Sequence, residues 1–173
     1  MNYEPYIGVT PDFPKKGISF KDISPLVANP EAFASCIADL KKLAEPYHPD
    51  FIVGADSRGF LFGTPLAMAF GVGFVMARKK GKLPGEVLTA EYSLEYGTGV
   101  LQIPAHAIPK GARVIMIDDL IATGGTFKAM EDLIRMAGAT PVLALAVIRL
   151  EELHGEDLLS VPTKTLLTLS DSH

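Results

Sequence analysis

The chain of 173 residues has one cysteine and no apolar run longer than a single strand. One cysteine excludes a disulfide within the chain, and Cys36 lies in a stretch with helical apolar spacing, so we expect a small core residue. No segment has the roughly 20 apolar residues that cross a bilayer, and the polar N-terminus lacks the pattern of a signal peptide. These absences predict a soluble, cytoplasmic protein with no membrane partner.

An excess of charge of either sign is also absent. The chain carries 16 Lys and Arg against 20 Asp and Glu, a formal net charge of −4. This balance provides no general attraction to nucleic acid, and the first 50 residues contain neither a helix-turn-helix pattern nor a basic stripe. The histidines follow no motif, so we expect surface positions rather than metal binding or catalysis for His48, His106, His154 and His173.

Short apolar segments alternate with helical patterns along most of the chain. Strand-like runs begin at Phe51, Val72, Val114 and Val142, and amphipathic spacing typical of helices lies before or between them. Strands that alternate with helices predict an α/β fold, with a mostly parallel, doubly wound central sheet flanked by helices. On its length the chain is a single domain, residues 1–173.

Two segments interrupt this alternation. Residues 1–29 are irregular and rich in proline but carry apolar side chains, so we expect them to pack on the body of the domain. Residues 79–103 combine charge, glycine and aromatic residues, and they include two runs that could pair as antiparallel strands. Because an insertion of this kind in a compact domain is usually functional or disordered, we predict a mobile lid.

The most informative stretch, residues 114–126, is a buried strand, two acids, a loop of small residues and the start of a helix. Ligands of open α/β sheets lie at the carboxyl ends of strands, and N–H groups at a helix N-terminus bind anions. The carboxylates of Asp118 and Asp119 would repel a phosphate, but they can accept hydrogen bonds from the hydroxyls of a ribose. The loop suits a terminal phosphomonoester through Ala122, Thr123, Gly124, Gly125 and Thr126.

Two further segments favour a polyanionic ligand. Residues 56–59 follow a predicted strand and open a helix, and Arg58 has the planar guanidinium that binds phosphates in a bidentate manner. A dense basic run follows in an otherwise slightly acidic chain, with Arg78, Lys79, Lys80 and Lys82. Each feature alone is an ordinary solvated surface, but beside a phosphate-type loop they indicate that a diphosphate is bound.

Four motifs resemble those of the type I phosphoribosyltransferases, and they follow one another along the chain in the order found in that family. Among its members, the adenine phosphoribosyltransferases are the most similar. The acid pair followed by Ala-Thr-Gly-Gly-Thr is similar to the signature that binds phosphoribosyl diphosphate. The basic run 78–85 is followed by Tyr-Ser-Leu-Glu-Tyr-Gly at 92–97, as in the adenine enzymes. The loop 55–63 and the segment 20–25 complete a resemblance that covers about residues 13–150.

The resemblance implies a reaction in which adenine and 5-phosphoribosyl 1-diphosphate (PRPP) give AMP and diphosphate. Mg²⁺ would be bound mainly through substrate phosphates, and no dedicated protein metal cluster is expected. Glu95, in the lid, would be the catalytic acid and base. Asp118 and Asp119 would hold the ribose, and Ala122 to Thr126 the 5′-phosphate. The diphosphate would be held by Asp56, Ser57, Arg58, Arg78 and Lys82, and the adenine by Ser19, Phe20, Lys21 and Leu150.

The resemblance also has implications beyond the contacts with substrate. Residues 1–29 would form a hood on the base side of the site, and two copies of the chain would form a homodimer. The diphosphate loop of the family often contains a cis peptide that does not involve proline, and the matching bond here joins Asp56 to Ser57.

Three alternatives stay open at the level of sequence. A phosphoribosyltransferase for hypoxanthine, guanine or xanthine would share the phosphate and ribose motifs, because base choice depends on a few hydrogen bonds. A non-catalytic regulator could keep this fold as a nucleotide sensor, and a plain α/β binding module could bind without turnover. The lid with Glu95 favours an enzyme over the last two.

Overall fold

The computed structural model describes residues 1–94 and 97–171. Its α-helices are α1 (Ser24–Ala28), α2 (Pro30–Ala44), α3 (Arg58–Phe70) and α4 (Gly125–Met136). Its strands are β1 (Gly8–Thr10), β2 (Phe20–Asp22), β3 (Phe51–Ala55), β4 (Gly73–Lys79), β5 (Val87–Leu94), β6 (Gly97–Pro104), β7 (Arg113–Ile121), β8 (Thr140–Leu150) and β9 (Thr163–Leu169). Short 3₁₀ turns span Glu4–Tyr6, Glu45–Tyr47, Glu151–Leu153 and Gly155–Leu158. None of the helices in the described ranges has the length and apolarity needed to span a membrane.

The main sheet confirms the predicted α/β architecture. Within the described residues its strand order is β5-β6-β4-β3-β7-β8-β9. Strands β4, β3, β7, β8 and β9 are parallel to one another, whereas β5 and β6 form an antiparallel hairpin whose strand β6 pairs antiparallel with β4. This hairpin occupies most of the interrupting segment 79–103, so its predicted strand pairing is confirmed.

The central strand β7 is buried because apolar side chains leave it on both faces. Val114 and Met116 belong to the core that packs beneath α4, whereas Ile115 and Ile117 belong to the core beneath α2 and α3. All four are fully buried, and each such side chain stabilises the fold by roughly 1.5–3 kcal/mol. Helices packed on both faces of the sheet thereby hold β7, and the residues at its carboxyl end, in a fixed position.

Helix α2 begins and packs as its sequence predicts. The Asn29 side chain accepts a hydrogen bond from the N–H of Ala32 at 2.9 Å, and Pro30 occupies the first helical position. Such a cap stabilises a helix by about 1 kcal/mol. Cys36 is fully buried on the inner face of α2, and burial raises the pKa of its thiol to about 12. The predicted core role of this cysteine is confirmed.

The N-terminal segment is more regular than predicted. Strands β1 and β2 pair as an antiparallel hairpin, and the short helix α1 follows directly. Strands of three residues carry no detectable alternation of apolar and polar positions, so the sequence pattern missed them. Tyr3 anchors this segment, because it is buried and its hydroxyl forms hydrogen bonds with the side chains of Ser35 and Asp39 on α2.

Candidate active site

The residues of interest collect along one edge of the main sheet. Strands β3, β7 and β8 are parallel, so their carboxyl ends meet there. The loop 56–57 follows β3, the loop 122–124 follows β7, and Leu150 ends β8. The N-terminal hairpin β1–β2 lies beside this edge, because Phe20 and Lys21 line a cavity together with Leu150. The fold thus brings together segments that are far apart in the sequence.

The loop after β7 is tightly constrained by its neighbours. Gly124 has φ = 87°, a left-handed conformation that favours glycine, and it precedes the first turn of α4. A Cβ atom on Gly124 would lie 2.2 Å from the carbonyl oxygen of Gly155. A cavity of about 160 Å³ lies above the loop, lined by Arg58 and residues 118–127. It contains all five residues predicted to hold the 5′-phosphate together with both predicted ribose ligands.

The two acids lie inside β7 rather than after it. The predicted strand stopped at Ile117, but β7 continues to Ile121 because it pairs with β8 as far as the Ile121–Arg149 register. Backbone pairing with a long neighbour therefore overrides the weak strand preference of aspartate. This places the carboxylates within the edge of the sheet instead of on a free turn.

Asp118 and Asp119 have different electrostatic surroundings. Asp119 is buried, and its carboxylate lies 3.1 Å from Nε of Arg58. Asp118 accepts the N–H of Asp119 at 2.8 Å. Burial raises the pKa of Asp118 well above its ordinary value, and the adjacent Asp119 charge raises it further. A second negative charge next to Asp119 is therefore unfavourable in the ligand-free site.

The start of the β3–α3 loop forms a second charged cluster. The Asp56 carboxylate lies 3.4 Å from Nε of Arg78 and 3.6 Å from Nζ of Lys82. Burial alone would raise the pKa of Asp56, but the N–H of Lys79 and the charges of Lys82 and Arg78 together hold it below its ordinary value. The three side chains carry a net charge of +1. The Asp56–Ser57 peptide bond is cis, as predicted.

Arg58 lies apart from this second cluster. Its guanidinium pairs with Asp119 and stands 5.7 Å from the centre of the Phe20 ring. It lines both the loop cavity and the larger cavity next to it. The sequence grouped Arg58 with Arg78 and Lys82, whereas in the structure it bridges the two cavities.

The larger cavity has a volume of about 500 Å³ and is mostly apolar. All four residues predicted to hold the base line it, and Lys21 donates to the hydroxyl of Ser19 at 2.9 Å. Both of these polar side chains are buried. The wall includes residues that sequence reasoning missed, namely Leu120, Leu153 and Asp171. Leu120 follows the acid pair and could have been found, but Leu153 and Asp171 carry no motif.

Glu95 lies outside the described residues. The hairpin arm that leads to it packs against the loop after β7, because a Cβ on Gly125 would lie 2.8 Å from the carbonyl oxygen of Ser93. Burial raises the pKa of Tyr92 on the same arm, and the charge of Asp118 adds to the rise. The part of the predicted lid next to the hairpin turn is therefore in direct contact with the candidate site.

The predicted surface positions of three histidines are confirmed, since His48, His106 and His154 are exposed. His173 lies outside the described residues. In the part of the chain that the structure describes, no three His, Cys, Asp or Glu side chains gather closely enough to hold a metal ion.

Comparison with known proteins identifies the family. The phosphoribosyl transferase domain family matches residues 23–168. The adenine phosphoribosyltransferase of Rhodospirillum centenum is 46% identical over 97% of this chain and 98% of its own. That of Mycoplasmopsis pulmonis is 50% identical over 90% of both chains. The chain belongs to the adenine phosphoribosyltransferase family.

Solved structures of adenine phosphoribosyltransferases share the fold throughout. The enzyme of Thermoanaerobacter pseudethanolicus superposes with a TM-score of 0.94 at 44% identity, covering 96% of this chain and 97% of that one. The enzyme of Saccharomyces cerevisiae, solved with an imino-altritol bisphosphate and adenine, has a TM-score of 0.89 at 42% identity and covers 95% and 96%. The chain therefore has the type I phosphoribosyltransferase fold, and the resemblance drawn from its motifs is confirmed.

Proposed function

We propose that this transferase salvages adenine by transferring the phosphoribosyl group of PRPP to it, giving AMP and diphosphate. The observation that carries the proposal is 46% identity to an adenine phosphoribosyltransferase over nearly the whole length of both chains. The arrangement of two adjoining cavities, one apolar and one lined by a phosphate-type loop, is consistent with a base next to a sugar phosphate.

The 5′-phosphate is assigned to the loop from Ala122 to Thr126. Small side chains let a phosphate approach the backbone, and the first N–H groups of α4 have no partner within the helix. The hydroxyls of Thr123 and Thr126 provide further donors. The role of the loop is thus to hold one end of the substrate while the other end reacts.

The ribose is assigned to Asp118 and Asp119. A carboxylate can accept hydrogen bonds from two vicinal hydroxyls, and the smaller cavity includes both side chains. Arg58 already neutralises Asp119 at 3.1 Å. The acid pair can therefore bind hydroxyls without strong repulsion of the nearby phosphate.

The diphosphate is assigned to Asp56, Ser57, Arg58, Arg78 and Lys82. When diphosphate leaves the anomeric carbon, negative charge builds on the leaving group, and fixed cations stabilise that charge. Asp56 holds Arg78 and Lys82 in place and leaves the cluster with a net positive charge.

The proposed site is compatible with Mg²⁺ that is bound through the phosphates of the substrate. Substrate phosphate oxygens and water would supply most of its coordination shell, and no protein residue is assigned as a metal ligand. When bound, the ion withdraws charge from the diphosphate. The protein groups themselves orient the substrate around it.

The base is assigned to the larger cavity, with Phe20 on one face and Leu150 on the other. Both side chains line that cavity, as do Ser19 and Lys21, which are hydrogen-bonded to each other. Glu95 is assigned as the acid and base that removes the ring proton of adenine when the lid closes. A lid also excludes water from the electron-poor sugar carbon.

A diphosphate-release assay tests the proposed function. With PRPP, Mg²⁺ and a panel of purines, we expect turnover with adenine and little with hypoxanthine, guanine or xanthine. Glu95→Gln should lower kcat by about 10²–10⁴-fold, the usual share of general acid–base catalysis. Glu91→Gln is the matched control, because Glu91 is exposed on the same hairpin. Preference for another purine would contradict the adenine assignment, and absence of release with every base would contradict turnover.

The homodimer, the cytoplasmic location and the division into a hood (residues 1–29) and a mobile lid (residues 79–103) within a single domain stay part of the proposal. An apolar outer face on α3 supports the homodimer, because Leu61 and Met68 are 43% and 83% exposed there.

A further inference from the structure

Some residues that line the larger cavity, Leu153 and Asp171 among them, have no role in the proposed function. Strand β9 runs parallel to β8, and the register pairs Leu169 with Leu150, so both strands end at the same edge of the sheet. The residues after β9 consequently arrive at the cavity, where Asp171 forms part of the lining beside Lys21 and Leu153. Asp171 is thus placed at the cavity that is assigned to the base.

One side chain holds this terminal segment in place. The N–H of Asp171 donates to the Glu152 carboxylate at 2.7 Å, and the hydroxyl of Ser170 donates to its other oxygen. These hydrogen bonds lower the pKa of Glu152, Ser170 contributing most, and the charge of Lys21 acts in the same direction. Glu152 therefore holds residues 170 and 171 in place at the carboxyl end of β9.

Lys21 and Asp171 line the larger cavity but not the smaller one, so they mark the part of it away from the sugar. Ala122 and Thr123 are shared with the smaller cavity, so they mark the sugar side. A purine whose glycosidic nitrogen faces that side directs its six-membered ring, with the substituent at position 6, toward Lys21 and Asp171. A carboxylate there accepts from an amine, but it meets the acceptor oxygen of a 6-oxo purine with repulsion.

We propose that Asp171 is a specificity-determining residue that accepts a hydrogen bond from the exocyclic amine of adenine, and that Glu152 is the residue that positions it. The inference rests on the proposed function. Two observations support the assignment to Asp171. It contributes a carboxylate to the cavity lining, whereas the nearby Lys21 ammonium already donates to Ser19. Its own N–H is fixed by Glu152, which limits the positions that its side chain can take.

Steady-state kinetics with adenine and hypoxanthine tests the proposal. Asp171→Asn should lower kcat/KM for adenine roughly tenfold, mostly through KM, because a charge-assisted hydrogen bond becomes a neutral one. The KM for PRPP should stay unchanged, and the preference for adenine over hypoxanthine should fall by a similar factor. Glu152→Ala should act in the same direction, and Glu152→Gln should restore part of the loss because its amide oxygen still accepts.

Calorimetry gives a readout that does not depend on turnover. The Kd of Asp171→Asn for AMP should rise, whereas the Kd for ribose 5-phosphate, which lacks the base, should not. Glu151→Gln is the control, because Glu151 is an exposed neighbour of Glu152. Unchanged selectivity in Asp171→Asn, or equal effects in Glu151→Gln, would overturn the inference while leaving the proposed function intact. A wild-type chain that turns over no purine would overturn both.

Discussion

Two adjacent acids at the end of β7 show how strongly surroundings decide the state of a side chain. Asp119 has the guanidinium of Arg58 at 3.1 Å and is buried as an ion pair. For Asp118, burial and the negative charge of Asp119 raise the pKa, and the charge of Arg58 lowers it only in part. The N–H of Asp119 and the charge of Arg58 offset part of the cost of burying this carboxylate, and a hydroxyl of the substrate or a cation would offset more of it.

Asp118→Asn is predicted to stabilise the ligand-free protein at neutral pH. A raised pKa means that Asp118 adds nothing unfavourable below the pKa of the unfolded chain, about 3.9, and becomes destabilising as the pH rises through its folded value. The gain should therefore be on the order of 1 kcal/mol at pH 8, or roughly 2–4 °C in Tm, and vanish near pH 4. Thermal unfolding of both proteins across this range measures it.

The same substitution should lower kcat/KM at least tenfold if Asp118 binds the ribose, because an asparagine accepts less strongly than a carboxylate. Asp157→Asn is the control, because Asp157 is exposed, and it should change neither kcat/KM nor the Tm. If Asp118→Asn is no more stable than the wild-type protein at pH 8, the prediction is contradicted, because the folded state then stabilises the charged carboxylate as well as water does.

At the scale of elements, the loop after β7 depends on a 3₁₀ turn far along the chain. A Cβ on Gly155 would lie 2.3 Å from the carbonyl oxygen of Ala122 and 2.7 Å from the backbone nitrogen of Gly124. The turn is braced by the Arg149–Glu156 ion pair at 2.7 Å. It therefore supports the underside of the loop that is assigned to the 5′-phosphate.

Gly155→Ala is predicted to displace that loop and raise the KM for PRPP by about tenfold, with a smaller effect on the KM for adenine. Overpacking of this kind also costs about 1–3 kcal/mol of stability. Gly71→Ala is the control: its φ of 68° makes alanine costly, but a Cβ there meets nothing within 4 Å. Kinetics of the two variants separate a local effect on the loop from a general loss of stability. Equal KM values for PRPP in both variants would contradict the supporting role of the turn.

The elements that sequence patterns predicted are those whose signal is local. The strands at Phe51 and Val114 and the cap at Asn29 follow from runs of adjacent residues, and they were found. The acid pair and the glycine loop are equally local, and the structure brings them together in one cavity. By contrast, Gly155 and Asp171 reach the site only because β8 and β9 carry them there. No pattern of neighbouring residues encodes that proximity.

At the scale of the whole molecule, the sheet leaves one helix with an apolar outer face. Helix α3 buries Phe62 and Leu66 against the sheet, and its opposite side exposes Leu61 and Met68, which are seven residues apart and so share a face. An exposed apolar stripe of this kind on a helix marks an interaction surface. In a twofold dimer the same stripe would serve on both copies, so every substitution there counts twice.

Met68→Glu is therefore predicted to weaken self-association roughly a hundredfold, because two carboxylates would replace two buried thioethers. Sedimentation equilibrium should give about 37 kDa for the wild-type protein, twice the chain mass of 18.5 kDa, and a mass near that of one chain for the variant. Met136→Glu is the matched control, since Met136 is 53% exposed on α4, across the sheet. A wild-type protein of one-chain mass at all concentrations would contradict the homodimer. A dimer that Met68→Glu leaves intact would move its interface away from α3, and the exposed stripe would then need a different partner.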